Sequence, residues 1–369
     1  MKIYFALITM FFNFTTANAF TSSFQVELFS GININEGRTS GHEEITRQAL
    51  IKTKELLKLN ESKVDISKAG VKLLKDLDFT ARGVIGALAV NPIIKGVYCS
   101  DFPETRQCVF SLSEFWFRDQ PGVDWHTGNN TQSLHFLRNY RERGGLVSPR
   151  RACYQARERI ITASITAARE WQSGKIENAL FLLGHAAHII QDSFSHAHVR
   201  RDNVMTGFKI KDVCYYGDDK KQELLVYNKD SMACFHPSMT STNFEEAIYG
   251  DSIWLRTEAQ VKSTTMNYRG EPIESCPMMT NHYILSPERK VSCLNLEARI
   301  ARDATVKYLY LMADEFYKHR HVAYTPAELG KLTKHLNDNF FDGSIQINNF
   351  TDRLPNGVAQ CGHLSDQAL

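Results

Sequence analysis

Between residues 185 and 198 the chain carries four imidazoles and a carboxylate: His185, His188, Asp192, His196 and His198. The stretch that holds the first of them, Leu182-Leu183-Gly184-His185-Ala186-Ala187-His188-Ile189-Ile190-Gln191-Asp192, is otherwise apolar and helix-forming. At about 100° per residue, His185, His188, Asp192 and His196 fall on one helical stripe. His188 and Asp192 are one turn apart and can bite the same ion. Burying such a set without partners costs several kcal/mol, and a cation satisfies the groups together. Mixed nitrogen and oxygen donors suit zinc, whereas calcium and magnesium want oxygen alone. A carboxylate can also bridge two ions. Paired metals lower the pKa of a shared water and clamp a phosphoryl oxygen, which is the chemistry of phosphoester hydrolysis.

The elements that must position this helix read as helices too. Residues 151–174 form an amphipathic helix, with Tyr154, Ile160, Ile161, Ile165 and Trp171 on or near one face and Gly174 at its end. Lys175 starts the histidine helix, so the two are expected as an antiparallel pair. Upstream, His42 sits at the mouth of a helix through Ala49 and Leu50, which Thr39 or Ser40 can cap and whose first turn Glu43 and Glu44 suit. Residues 63–90 have apolar positions at helical spacing, and Asn91-Pro92 is expected to close them. Tyr98 to Pro103, with Asp101, reads as a loop, and His135 as the edge of a turn. Residues 200–275 break into an irregular, loop-rich insertion tied by Cys214 and Cys234, with helix resuming around 243–264. A further helix spans Leu294 to Tyr317, and one short helix follows Thr325 before a Gly/Asn-rich end. The expected fold is mainly α: one helical domain over 20–320 and a short C-terminal tail over 321–369.

Composition narrows the classes. Met1-Lys2, the apolar run Ile3 to Phe12 and Ala17-Asn18-Ala19 read as a signal peptide over 1–19, so the expected protein is secreted or periplasmic. No later stretch reaches the roughly 18 uninterrupted apolar residues of a transmembrane segment. The eight cysteines include no Cys-x-x-Cys pair and read as disulfides; Cys99 and Cys108, bracketing a short turn-rich loop, are candidates for one. A net charge of +2 gives no basic excess for a duplex nucleic-acid binder. Arg138, Arg141, Arg143, Arg150 and Arg151 form the one local basic concentration, which a solvated face explains.

Leu183-Gly184-x-Ala186-x-His188-x-x-x-Asp192, with a histidine shortly downstream, resembles the central helix of the bacterial zinc-dependent phospholipases C, whose fold is shared with fungal and plant single-strand nucleases. His42 with Ile45 and Ala49 is similar to that family's first ligand helix. Asp101 before Pro103, and His135 with Phe136, follow in the family's order. The resemblance implies a zinc phospholipase C-like helical domain holding two or three zinc ions. It implies that His135, His188 and Asp101 bind one ion, and that Asp192 bridges it to a neighbour held with His42. Asp101 would also orient or deprotonate the attacking water, and so is the catalytic candidate. His196 and His198 are both candidates for a further metal: family spacing selects His198, helical geometry selects His196. His185 is expected to hydrogen-bond behind the ligands. His236, before Pro237, is expected to be structural.

The expected function is therefore a secreted, monomeric zinc phospholipase C, cleaving glycerophospholipids of the phosphatidylcholine type at a membrane surface to diacylglycerol and phosphorylated head group. Aromatics at Phe110, Phe115, Trp116, Phe117 and Trp125 would touch the lipid. The alternatives are a zinc-dependent single-strand nuclease on the same scaffold and a non-catalytic, metal-stabilised surface-binding protein.

Overall fold

The structure, a computed structural model, describes residues 42, 45–46, 48–50, 52–53, 91–101, 108, 131–139, 145–195, 198–202, 209–217, 235–237, 296–319, 323–342 and 359–366. The leader, the cap at Thr39 or Ser40, the helices expected at 63–90 and 243–264, the aromatic region, His196, Cys234 and Arg141 with Arg143 lie outside them. Within them the chain is mainly helical. No helix among the described residues is long and apolar enough to cross a membrane.

Helix α1 spans Pro92–Asp101. Residues 98–101, expected as loop, are its last turn; Asn91, expected with Pro92 to close residues 63–90, opens α1 as its cap, and the segment it was expected to close lies outside the described residues. The Asn91 Oδ1 accepts the Ile93 N–H at 2.9 Å, and proline is well placed in the first turn, where its missing N–H costs nothing. A 3-10 turn, Gln132–His135, comes next.

Helix α2, Pro149–Gln172, is capped by the Ser148 side chain, which accepts from the Arg151 N–H, and it starts on a proline. Gly174 at φ +77° then supplies the left-handed residue that ends it. Its buried face is Ala152, Cys153, Ala156, Ile160, Ala163 and Ala167. Tyr154, expected on that face, is 42% exposed and lies over the Arg157 guanidinium instead. Small residues make the core face because they let the next helix come close.

That helix, α3, Ile176–Asp192, is exposed at Ile176 and Glu177 but buried at every position from Phe181 to Asp192, and it packs against α1, α2 and the helix over Leu296–Lys318. A helix surrounded in this way is hydrophobic all round, as its sequence is. Its crossing with α1 is set by two glycines. A Cβ on Gly96 would overlap the Phe181 carbonyl, and one on Gly184 would overlap the Ile93 carbonyl, so the two backbones touch directly. The Cys99–Cys108 disulfide forms, as expected, just beyond.

After α3 come two small ribbons. Strand β1 (Val199–Arg201) pairs antiparallel with β2 (Ile210–Val213), and β3 (Tyr215–Gly217) pairs parallel with β4 (Phe235–Pro237), which contains His236 opposite Tyr216. Cys214, between β2 and β3, is disulfide-bonded.

Helix α4, Leu296–Lys318, brings Ile300, Ala304, Tyr308, Leu311 and Phe316 into the core. Helix α5, Pro326–Leu336, opens on a Thr325–Glu328 capping box and runs into a π-helical turn, Asn337–Phe341. The segment beyond 320 belongs to the same core, to which it contributes Leu332, Leu336, Phe340, Phe341, Ala359 and Leu364. Cys361 is joined to Cys153 of α2. Closing a loop of 208 residues constrains the unfolded chain by about 5 kcal/mol in the chain-entropy treatment.

Candidate metal centre

The described residues of 42–53 are all helical and buried or half-buried, with Ile45, Ala49 and Leu50 in the core. This segment is held to α4 by Lys52, whose ammonium donates to Asp303 at 2.7 Å, and by the Tyr310 hydroxyl, which donates to the Thr53 carbonyl at 3.2 Å. It thereby lays His42 against the last turn of α3. His135 arrives from the other side on the 3-10 turn. That turn ends on Phe136 in the left-handed conformation at φ +52°, rare for a bulky residue and costing about 1–2 kcal/mol. Burial of the Phe136 ring, and the Phe136 and Leu137 N–H groups both turned onto the Gln132 carbonyl, hold it there.

Helix α3 stops at Asp192. The chain then doubles back through Ser193, Phe194 and Ser195, with the Ser195 N–H on the Asp192 carbonyl and the His198 N–H on the Ser195 carbonyl. This reversal returns His198 to the aspartate it follows. Family spacing had selected His198 and an unbroken helix had selected His196; the helix ends first, and the turn brings His198 to the cluster, while His196 lies outside the described residues.

Four imidazoles thus converge on the fully buried Asp192, two to each oxygen. Oδ1 faces the Nε2 of His42 at 3.2 Å and that of His198 at 3.8 Å. Oδ2 faces the Nε2 of His188 at 3.1 Å and the Nδ1 of His135 at 3.5 Å, and these two nitrogens are 3.2 Å apart. His42, His188 and Asp192 together can offer one ligand atom each within 4.8 Å of one another. Tetrahedral zinc with bonds of about 2.0–2.2 Å holds any two donors about 3.4 Å apart, which matches most of these separations.

Proton positions around the cluster follow from its hydrogen bonds. The Thr305 hydroxyl donates to the Ala301 carbonyl, so its oxygen accepts from the Gln191 Nε2, which also donates to Thr46. That fixes the Gln191 amide with Oε1 toward His42, whose Nδ1–H donates to it at 2.9 Å. The His198 Nδ1–H likewise donates to the His135 carbonyl. In both rings the remaining nitrogen, Nε2, points at a carboxylate oxygen, and it carries a lone pair when the ring is neutral. Among the described residues no hydrogen bond of good geometry reaches either Asp192 oxygen, although the His188 and His135 nitrogens lie at 3.1 and 3.5 Å. Lone pairs aimed at lone pairs in a buried site repel unless a cation lies between them. The residues present therefore fit a metal, and ring nitrogens anchored on the far side are the usual support of metal-ligating histidines.

Burial opposes the charge on Asp192, yet positive charge at the positions of His198, His188 and His42 holds its carboxyl well below the usual range. Burial, then His42, pushes His188 well below its ordinary value, so this imidazole is neutral and ready to bind metal without losing a proton.

The other expected residues fall as follows. Asp101 is the last residue of α1, one position after Ser100, and its side chain lies outside the described residues, as does all of His196. His185 points to α1, where its Nδ1–H donates to the Ser100 hydroxyl at 2.6 Å while that hydroxyl donates to the Gly96 carbonyl. Burial, with His135 and Arg159 nearby, pushes the His185 pKa down to about 3. Of the basic concentration, Arg138 is buried, with its Nε donating to the Val147 carbonyl at 2.8 Å, Arg150 is half-buried, donates to the Leu364 carbonyl and pairs with Asp366, and Arg151 is exposed. Gln191, Thr46 and Thr305 had been given no role. A buried amide directly before the central aspartate of an apolar helix was the signal for the first; nothing in sequence pointed to the two threonines.

No protein-family model, curated protein or solved structure matches this chain.

Proposed function

We propose that this chain is an exported zinc-dependent phospholipase C, hydrolysing glycerophospholipids of the phosphatidylcholine type at a membrane surface as a monomer. The observation that carries the reading is the division of Asp192, with His42 and His198 on one oxygen and His188 and His135 on the other. A carboxylate placed in this way suits a bridge between two cations. The order of donors along the chain is that of the phospholipase C resemblance. The Cys99–Cys108 and Cys153–Cys361 disulfides support an oxidising compartment.

Zinc ions bound at such a site supply water that ionises near neutrality and positive charge for a phosphoryl oxygen. The chain's own residues do the rest. Gln191 and the His135 carbonyl hold the rings of His42 and His198 in the tautomer that presents Nε2. The Ser100–His185 bond ties the end of α1 to α3, and thus sets where the backbone of Asp101 stands relative to the ligands. Asp101 is the proposed acceptor of the water's proton as oxygen attacks phosphorus; the bond from phosphorus to the diacylglycerol oxygen breaks, and the same proton passes on to that leaving oxygen, which regenerates the carboxylate.

A lipid substrate is preferred to a nucleic acid on charge. A single-strand groove needs available cations; the chain's net charge is only +2, and among the described arginines of the basic concentration Arg138 and Arg150 donate to carbonyl groups of the fold while Arg151 is exposed.

The test is zinc content followed by hydrolysis of phosphatidylcholine vesicles, single-stranded DNA and a chromogenic phosphodiester, each with and without chelator. Lipid turnover that disappears on chelation and returns with zinc is expected. Turnover that survives complete chelation overturns the reading, DNA cleavage without lipid cleavage replaces it with the nuclease, and bound zinc with neither activity leaves a structural metal.

A further inference from the structure

Four of the five residues at the centre stand on helical backbone: His42, the 3-10 residue His135, and His188 and Asp192 of α3. His198 alone is carried by the turn into β1. The ribbon β1–β2 has strands of three and four residues, and two-stranded ribbons of this size are marginal on their own. Something outside the ribbon must fix it.

The C-terminal residues 359–366 do so. Cys361 is bonded to Cys153, Arg150 of α2 donates from Nε to the Leu364 carbonyl at 2.8 Å and from its backbone N–H to the Ser365 carbonyl at 3.2 Å, and the buried Arg157 donates to the Ala359 carbonyl at 3.3 Å. Held in this way against α2, the segment extends the His363 imidazole to β2, where its Nε2–H donates to the Ile210 carbonyl at 2.6 Å. Ile210 is paired with Arg201 of β1, and Val213 with Val199, the residue after His198. One residue past β2, the Cys214 N–H donates to the His198 carbonyl at 2.8 Å, and the Cys214 carbonyl accepts from the Arg138 N–H, three residues past His135. The path from the C-terminal segment to His198 is thus a continuous run of hydrogen bonds through β2.

We propose that segment 359–366 is a positioning strap for His198, with His363 as its contact, so that an ion on the Oδ1 side of Asp192 is bound tightly only when the strap is docked. This rests on the metal-centre reading above, though not on the choice of lipid as substrate. An ion on the Oδ2 side would be held by His188 of α3 and by His135, which the strap reaches only at one remove through Cys214 and Arg138, and so would depend on the strap little. The centre is therefore loaded asymmetrically, and the covalent bond at Cys361 makes the docked state permanent once formed.

The experiment is titration of metal-free, full-length protein with Co2+, read by visible absorption and calorimetry, for wild type, His363→Ala, His363→Gln and the double variant Cys153→Ser/Cys361→Ser, with His198→Ala as the reference for loss of the strap-dependent ion. Wild type takes up two equivalents. In His363→Ala the second equivalent weakens about 10- to 100-fold, the range for residues that orient metal ligands, while the first changes little. Glutamine, whose amide N–H can stand in for Nε2–H, restores it, and the double serine variant repeats the asymmetric loss with its far-ultraviolet helical signal retained. Two unchanged equivalents in both His363→Ala and the double serine variant overturn the strap, as does equal weakening of both ions. A wild type that binds no Co2+ overturns the metal centre itself, which separates the two failures.

Discussion

The Nε2 of His42 stands 3.2 Å from Oδ1 of Asp192, and the proton that would make this a hydrogen bond is on the other side of the ring, donated to Gln191. Because Thr46 and Thr305 fix the Gln191 amide, the arrangement cannot be relieved by flipping it without losing two further bonds. An imidazole lone pair facing a buried carboxylate is the arrangement a cation requires, and the predictions below follow from it.

Gln191→Leu keeps the size of the side chain and removes the acceptor for His42 Nδ1–H. Zinc affinity is expected to fall about 10- to 100-fold. Competition against a chromogenic chelator measures this; an unchanged affinity means that the tautomer of His42 is set by something else.

Asp192→Asn removes the charge between the four imidazoles with almost no change in volume. The expected outcome is loss of bound zinc and of turnover, with the helical circular dichroism of the metal-free protein retained. Zinc stoichiometry by elemental analysis is the check, and a variant with its full complement of zinc contradicts the bridge.

His185 gives a pH dependence of definite sign. Its folded pKa is pushed down to about 3 from the ordinary 6.5, first by burial and then by His135 and Arg159. Above the ordinary value neither state binds a proton there, so the full stability is present. As pH falls from 6.5 toward 3, only the unfolded chain takes up the proton, and stability drops by about 1.4 kcal/mol per pH unit from this group. His185→Asn, whose amide N–H can still reach Ser100, should flatten that slope between pH 6 and pH 4 in denaturant titrations of metal-free protein, by about that amount per unit. An identical slope in the variant counts against a neutral buried His185.

Gly184→Ala pushes a methyl group into the Ile93 carbonyl of α1. Separation of the helices should cost about 1–3 kcal/mol or more, because overpacking forces the backbone to move. It should also weaken Ser100–His185, seen as a lower Tm together with reduced turnover per bound zinc. A variant as stable as wild type would mean that the two helices have slack between them.

The histidine helix was legible because its chemistry and its period coincide: His188 and Asp192 are one turn apart in an apolar segment, and the order His42, Asp101, His135 supplied candidates on either side. Helices α2 and α4 were legible from apolar spacing and end signals such as Gly174. Residues 98–101 were misjudged because a proline that closes one segment is equally suited to open the next helix, which the Asn91 side chain, bonded to Ile93, does here. Tyr154 was misplaced because alanines, which carry little hydrophobic signal, make the core face of α2. The position of His198 depended on where α3 stops, and Ser193-Phe194-Ser195 contains no glycine or proline to mark it. Arg138 read as surface charge because its buried bond to Val147 joins residues whose proximity the sequence does not announce.

The most direct measurement is a crystal structure of the zinc-loaded protein with anomalous data collected at the zinc edge. The account predicts two peaks on opposite sides of the Asp192 carboxylate, one between His42 and His198 and the other between His188 and His135. Data at saturating zinc with no anomalous peak within bonding distance of Asp192 would contradict it.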